Sequence, residues 1–457
     1  MIVIDKPTIR KFDKPGPRYT SYPTAPEWTT DVSPEVYKEK LKAFGQGDKT
    51  LSLYVHIPFC ETLCYFCACT MNVRKQEEKY GNEYIEYLCR ELDLIMPHIG
   101  RRKEIRQLHW GGGTPSFLSE QQMERLFIKI KQCFDINLDS EVAVEVDPRR
   151  VTKSKVETLR RLGFNRISIG VQDFDPTVQE HVNRIQPFGM VETFTRWCRD
   201  AKFDSVNFDL IYGLPYQTPG TFRRTVEQVM KLRPDRIALY SYAYVPWLKK
   251  HQQKIKADTL PSPDEKLEIF LNAREQFLAN GYEAIAMDHF ALKEDELAKA
   301  FHAGALYRNF MGYTVKPADE YIGVGTSAIG FLEKTFFHNY KTIPEYYKSL
   351  DDSRLPIERG KSLSRDDEIR QWVIRSIMCQ FTVDKGKFAE TFGVTFDEYF
   401  RDEQGHIHQC CADELLTEQG ERLDCTELGK IFVRNICMGF DWYLRQKAGH
   451  KRFSRTI

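Results

Sequence analysis

Six short strand-like runs between residues 51 and 242 alternate with helix-like stretches, and most of the runs pair an apolar face with a polar one. They are LSLYVHI (51–57), QLHW (107–110), EVAVEVD (141–147), RISIGVQ (166–172), SVNFDLI (205–211) and RIALYSY (236–242), with AIAM (284–287) a weaker seventh. Helix-start signals lie between them: Ser119 with Gln122, and Ser262 with Glu265 and with Pro263 at the first helical position. This alternation predicts a parallel sheet with right-handed crossovers. Val142, Val144 and Val146 share one strand face, opposite Glu141, Glu145 and Asp147. Ile167, Ile169 and Val171 likewise oppose Ser168, Gly170 and Gln172, and Val206, Phe208 and Leu210 oppose Ser205, Asn207 and Asp209. Parallel sheets are normally covered on both faces and read as continuous apolar runs. A polar face here is expected to line a lumen that holds a polar ligand. An antiparallel sheet with that face in water is the poorer reading, because helices intervene. The expected fold is α/β, an open, partial βα barrel with its site near the C-terminal strand ends.

A chain of 457 residues exceeds one simple core. Residues 1–48 read as an arm, 49–340 as the barrel, and 341–457 as a smaller, mainly helical C-terminal domain with one or two short strands. A hydrophobic share of 42% and a charged share of 29% are those of a globular protein. The net charge of +1 offers no excess to neutralise phosphates, so nucleic acid is not an expected partner. The start, MIVIDKP, has no apolar stretch of signal-peptide length, and no run of about 18 apolar residues occurs. No membrane span is expected, and the cytoplasm is the expected location.

Four of the twelve cysteines fall within ten residues: Cys60, Cys64, Cys67 and Cys69. Outside a small secreted protein, such crowding signals metal or redox work. The spacing C-x3-C-x2-C of Cys60, Cys64 and Cys67 begins just after the first strand. Three thiolates can hold three irons of a 4Fe–4S cube and leave the fourth open to a ligand. Cys69 is a candidate fourth ligand, but one intervening residue is poor geometry for another iron of the same cube. A four-cysteine zinc site wants a second Cys-x2-Cys pair, which is missing, and a thioredoxin-type pair would leave Cys60 unexplained.

A cysteine triad after a first barrel strand resembles the radical S-adenosylmethionine enzymes. The segment HWGGGTP (109–115) at the tip of the second strand is similar to their glycine motif for the methionyl amino group. A wider set of segments runs through nearly the whole chain: GPRYTSYPT (16–24), SLYVHIPFC (52–60), LCYFC (63–67), EVDP (145–148), GVQDF (170–174), VNR (182–184), DLIYGLP (209–215), MDHF (287–290), RNICM and FDWYLRQ. Taken in order they resemble the oxygen-independent coproporphyrinogen III oxidases. That resemblance implies a partial βα barrel with a small C-terminal domain. It also implies oxidative decarboxylation of the ring A and B propionates of coproporphyrinogen III to the vinyls of protoporphyrinogen IX. A 5′-deoxyadenosyl radical would abstract hydrogen from the propionate β-carbon.

The resemblance further implies two S-adenosylmethionine molecules. The first, on the cluster, would be held by Tyr54, Gly112, Glu145 and Ile329. The second would be held by Phe66, Gly113, Thr114, Gln172, Arg184, Asp209 and Ala243. Cys69 matches a family cysteine that does not bind the cluster, although Ala68 stands where many relatives have glycine. His56 shares a face with Tyr54 and is a catalytic candidate; a core histidine bonded to backbone is the other reading. Arg18 and the basic end (Arg445, Lys447, Lys451, Arg452, Arg455) are candidates for the substrate's carboxylates. A monomer fed by a flavodoxin or ferredoxin is expected. A haem-binding chaperone of the same superfamily is the rival, and the arm, Cys69 and the ending favour the oxidase.

Overall fold

A computed structural model describes residues 6–75, 77–446, 453 and 455. Its main sheet has twelve strands. In chain order they are β1 (Leu51–Ile57), β2 (Glu104–Gly112), β3 (Asp135–Val146), β4 (Arg166–Gln172), β5 (Ser205–Tyr212) and β6 (Arg236–Ser241). Six more follow: β7 (Tyr282–Ala286), β8 (His289–Leu292), β9 (Glu320–Val324), β10 (Ile329–Leu332), β11 (Thr335–Asn339) and β12 (Ile357–Ser362). Their spatial order is β12-β11-β10-β9-β1-β2-β3-β4-β5-β6-β8-β7. From β9 to β6 every neighbouring pair is parallel, and both flanks are antiparallel. The two end strands do not pair, so the barrel is open. β8 and the strands from 320 to 339 are additions that the sequence reading did not contain, and β12 lies beyond residue 340.

Helices such as Glu78–Ile99, Glu120–Cys133 and Pro219–Leu232 connect the parallel strands. The capping boxes read at Ser119 and Ser262 both form. Leu53, Val55, Leu108, Trp110, Val144, Ile169 and Phe208 are fully buried beneath those helices. Removing one large side chain of this layer costs about 3–5 kcal/mol.

The opposite, polar face has two levels. Near the strand N-termini, Gln107 Nε2 donates to Glu141 at 2.9 Å, and Arg166 pairs with Glu141 at 3.3 Å. The hairpin of Tyr307–Asn309 and Gly312–Thr314 covers this level, with Asn309 donating to Gln107 at 3.2 Å and Thr314 to Glu141 at 3.4 Å. The lower lumen is thus a floor closed by its own hydrogen bonds and the Arg166–Glu141 ion pair, and the upper level is left for a ligand.

The arm contains helices Lys6–Phe12 and Pro34–Gln46. Between them it lies along the C-terminal helix Val433–Phe440: Arg434 donates to the Pro17 carbonyl at 2.9 Å, and Asn435 to that of Phe12 at 2.7 Å. The segments RNICM and GPRYTSYPT thus meet in space. Arg18 is paired with Asp288, Arg445 with Glu403, and Arg455 with Asp13. Lys447, Lys451 and Arg452 lie outside the described residues. After β12 the chain forms helix Arg365–Gln380, further helices, and a three-stranded sheet of Thr382–Asp384, Leu416–Gln419 and Arg422–Cys425. Among the described residues, no helix is long and apolar enough to cross a membrane.

Candidate active site

Strand register brings the polar side chains together above the floor. Tyr54 lies opposite His109, Glu145 opposite Ser168, and Gly170 opposite Asp209. A cavity of about 190 Å³ opens there, at the C-terminal ends of β2 to β5. It is bordered by the four clustered cysteines and by Phe66, Gly112, Gly113, Thr114, Glu145, Gln172, Arg184 and Asp209. Twelve of the sixteen site residues read from the sequence therefore meet around one space.

The other four sit beside it. Tyr54 stacks on His109, with ring centroids 5.9 Å apart. His109 in turn contacts Glu145 at 3.0 Å. Ala243 follows β6, and its carbonyl accepts from Gln252 at 3.2 Å. Ile329 begins β10, next to β9, where Gly323 is the partner of Tyr54. His56 is the clearest refinement. Its Nε2 contacts the Thr70 carbonyl at 3.0 Å, which fixes that nitrogen as the donor, and Nδ1 accepts from the Tyr54 hydroxyl at 3.0 Å. Burial pulls its pKa down to about 4, so the ring is neutral.

The acids differ in state. Burial works against the Glu145 charge, but His109 and the Gly112 N–H at 3.3 Å outweigh it and lower its pKa. Asp209 is pushed up to about 7 by burial and by the nearby Glu145, despite accepting from Ser168 and Asn207 at 2.9 Å. One carboxylate and one easily protonated carboxyl thus share the lumen. Asp147 is held near 2: burial is overcome by Arg184 at 3.3 Å and Arg149 at 2.6 Å. Both guanidiniums also approach the Cys64 sulfur, at 3.6 and 3.7 Å. Burial pushes the Cys60 thiol up to about 12, whereas a hydrogen bond from Cys69 holds the Cys67 thiol below its ordinary value.

Three features suit a polar ligand and a cluster. A Cβ on Gly112 would meet the His56 ring at 2.7 Å, and one on Gly113 the Pro58 backbone at 2.6 Å, so bare backbone borders the cavity. Gln172 takes φ of +66° at a register shift between β4 and β5, and its buried Oε1 has no partner. Arg184 Nε is likewise buried without a partner. Such groups are costly unless a ligand meets them. Among the described residues, no three His, Cys, Asp or Glu side chains converge on a single metal ion.

Sequence reasoning assigned no role to Asp147, Arg149, His109 or Gln252. Asp147 lay in the quoted EVDP segment, and His109 alternates with Gln107 and Gly111 on the lumen face. Gln252 had no signal, because its bond to the cysteine loop, at the Phe66 carbonyl, spans 186 residues.

The Radical SAM superfamily model matches residues 54–229, and the HemN C-terminal domain model matches 363–432. The chain is 42% identical over 453 residues to the oxygen-independent coproporphyrinogen III oxidase of Synechocystis, covering 98% of this chain and 97% of that one. It is 43% identical to the Helicobacter pylori enzyme of the same name, each covered in full. The solved structure of Escherichia coli coproporphyrinogen III oxidase (HemN), described as a radical SAM enzyme, superposes with a TM-score of 0.90 at 39% identity, covering 93% of this chain and 98% of that one. The chain belongs to the oxygen-independent coproporphyrinogen III oxidases of the radical SAM superfamily.

Proposed function

We propose that the chain decarboxylates the ring A and B propionates of coproporphyrinogen III, yielding the vinyls of protoporphyrinogen IX for haem biosynthesis. The observation that carries this reading is the convergence of three cysteines, a bare glycine edge and unpaired polar atoms on one lumen cavity, in a chain that matches these oxidases end to end.

Cys60, Cys64 and Cys67 hold the 4Fe–4S cluster in this reading. When bound, the reduced cluster splits S-adenosylmethionine into methionine and a 5′-deoxyadenosyl radical. Two molecules of S-adenosylmethionine are proposed. Tyr54, Gly112, Glu145 and Ile329 serve the first, with Glu145 accepting from its amino or ribose groups. Phe66, Gly113, Thr114, Gln172, Arg184, Asp209 and Ala243 serve the second. Arg184 keeps Nε for a ligand while its other nitrogens hold Asp147 and the Gly170 carbonyl. His56 acts as a positioning residue: its bond to Thr70 fixes the end of the cysteine loop. Cys69, exposed at the rim and hydrogen-bonded to Cys67, meets substrate in this reading. A monomer in the cytoplasm, reduced by a flavodoxin or ferredoxin, completes the proposal. Its parts are the arm to residue 48, the barrel unit and the C-terminal unit.

Anaerobically reconstituted protein given reductant, S-adenosylmethionine and coproporphyrinogen III should release CO2 and 5′-deoxyadenosine. Tight haem binding without turnover would replace this reading with the haem chaperone.

A further inference from the structure

Residues 247–256, WLKKHQQKIK, follow β6 and hold the cysteine loop from outside. Lys249 donates to the Cys69 carbonyl at 3.0 Å, His251 to that of Cys67 at 2.6 Å, and Gln252 to that of Phe66 at 2.9 Å. Beneath the segment, Val182, Leu214, Tyr242 and Ile255 form a small apolar cluster that packs on Tyr65 and Phe66 of the same loop. The segment and the cysteine loop therefore form one mechanical unit.

Its outer side has a distinct character. Lys249, Lys250, Lys254 and Lys256 are cationic and no residue of the segment is acidic, in a chain whose net charge is +1. Beside them, the adjacent Trp247 and Leu248 are 51% and 71% exposed. An exposed apolar pair flanked by cationic residues is a recognised form of protein interaction site.

We propose that this patch docks an acidic one-electron carrier protein, which reduces the cluster across the cysteine loop. The proposal rests on the oxidase reading. The carrier is oxidised by one electron for each S-adenosylmethionine cleaved, and the sulfonium accepts that electron as its carbon–sulfur bond breaks. Opposite charges steer such an encounter and make it salt-dependent, while Trp247 and Leu248 supply the desolvated centre. The tetracarboxylate substrate is the competing anion for these lysines. The exposed apolar pair and the position outside the lumen favour a protein.

The test uses the reconstituted full chain carrying Leu248→Ser, Lys250→Glu and Lys256→Glu, with a flavodoxin as the probe. Wild-type binding should weaken steeply with salt. The triple variant should bind flavodoxin at least tenfold more weakly and oxidise reduced flavodoxin at least tenfold more slowly. Its deoxyadenosine formation with dithionite should be unchanged. Unaltered flavodoxin binding, or an equal loss in a control carrying Lys42→Glu and Lys153→Glu, would overturn the proposal. So would a raised KM for coproporphyrinogen with carrier binding intact, which would give the patch to the substrate. If the wild type forms no deoxyadenosine even with dithionite, the oxidase reading fails, while the binding constants still judge the docking surface.

Discussion

Arg184 approaches the sulfur of Cys64 at 3.6 Å through Nη1 and bonds the carbonyl of Gly170 at 2.7 Å through Nη2. One guanidinium thus links the cysteine loop to the bulged end of β4 and leaves a single buried N–H for a ligand. Arg184→Ala should retain its iron and sulfide, since Arg149 still neutralises Asp147. Deoxyadenosine formation should fall about 30- to 1,000-fold, the scale of a lost buried charge-assisted contact of about 2–4 kcal/mol. Near-normal turnover would remove Arg184 from the ligand set.

The cysteines separate by position. Cys60→Ala, Cys64→Ala and Cys67→Ala should each abolish the iron and sulfide load, measured by chemical analysis and by the visible charge-transfer band. Cys69→Ser should keep both while losing activity. An intact cluster in Cys60→Ala, or a lost one in Cys69→Ser, contradicts the assignment.

The glycine edge gives a steric prediction. Gly113→Ala places a Cβ 2.6 Å from the Pro58 backbone, where no flexible side chain can yield. About 1–3 kcal/mol of destabilisation is expected, read as a lowered melting temperature together with weaker S-adenosylmethionine binding. Gly189→Ala in helix Phe188–Asp200, with nothing within 4 Å of the added atom, should be neutral or slightly stabilising.

Asp209 supplies a pH signature. Its carboxyl is raised from 3.8 to about 7, chiefly by burial and then by Glu145. The folded state therefore binds the proton more tightly than the unfolded chain. That stability is fully present below the unfolded pKa near 4 and is lost as pH rises towards about 7. In ligand-free protein, the melting temperature of Asp209→Asn relative to wild type should climb across pH 4 to 7 and level off above. At the upper end the difference is on the order of 2–4 kcal/mol. A flat difference would show that Asp209 is ionised throughout.

Period-two alternation placed the parallel strands and their polar face, because each side chain's direction follows from strand geometry alone. Tyr54, Glu145, Gln172 and Asp209 were legible for that reason, and the cysteines through their spacing. The strands from 320 to 362 were not. Their short runs are interrupted by turns; β9 joins the sheet through β1, and β10 to β12 follow as consecutive antiparallel partners. Which donor meets which acceptor was equally hidden. Arg184 on Asp147 and Gln252 on Phe66 join residues 37 and 186 positions apart.

The central claim is that this lumen generates a radical that attacks a propionate side chain. Coproporphyrinogen III deuterated at the propionate β-carbons tests it directly, by mass spectrometry of the 5′-deoxyadenosine formed in anaerobic turnover. The account predicts one deuterium in the 5′-deoxyadenosine, with CO2 and the vinyl product formed alongside. Unlabelled 5′-deoxyadenosine released while the porphyrinogen is recovered unchanged would contradict it.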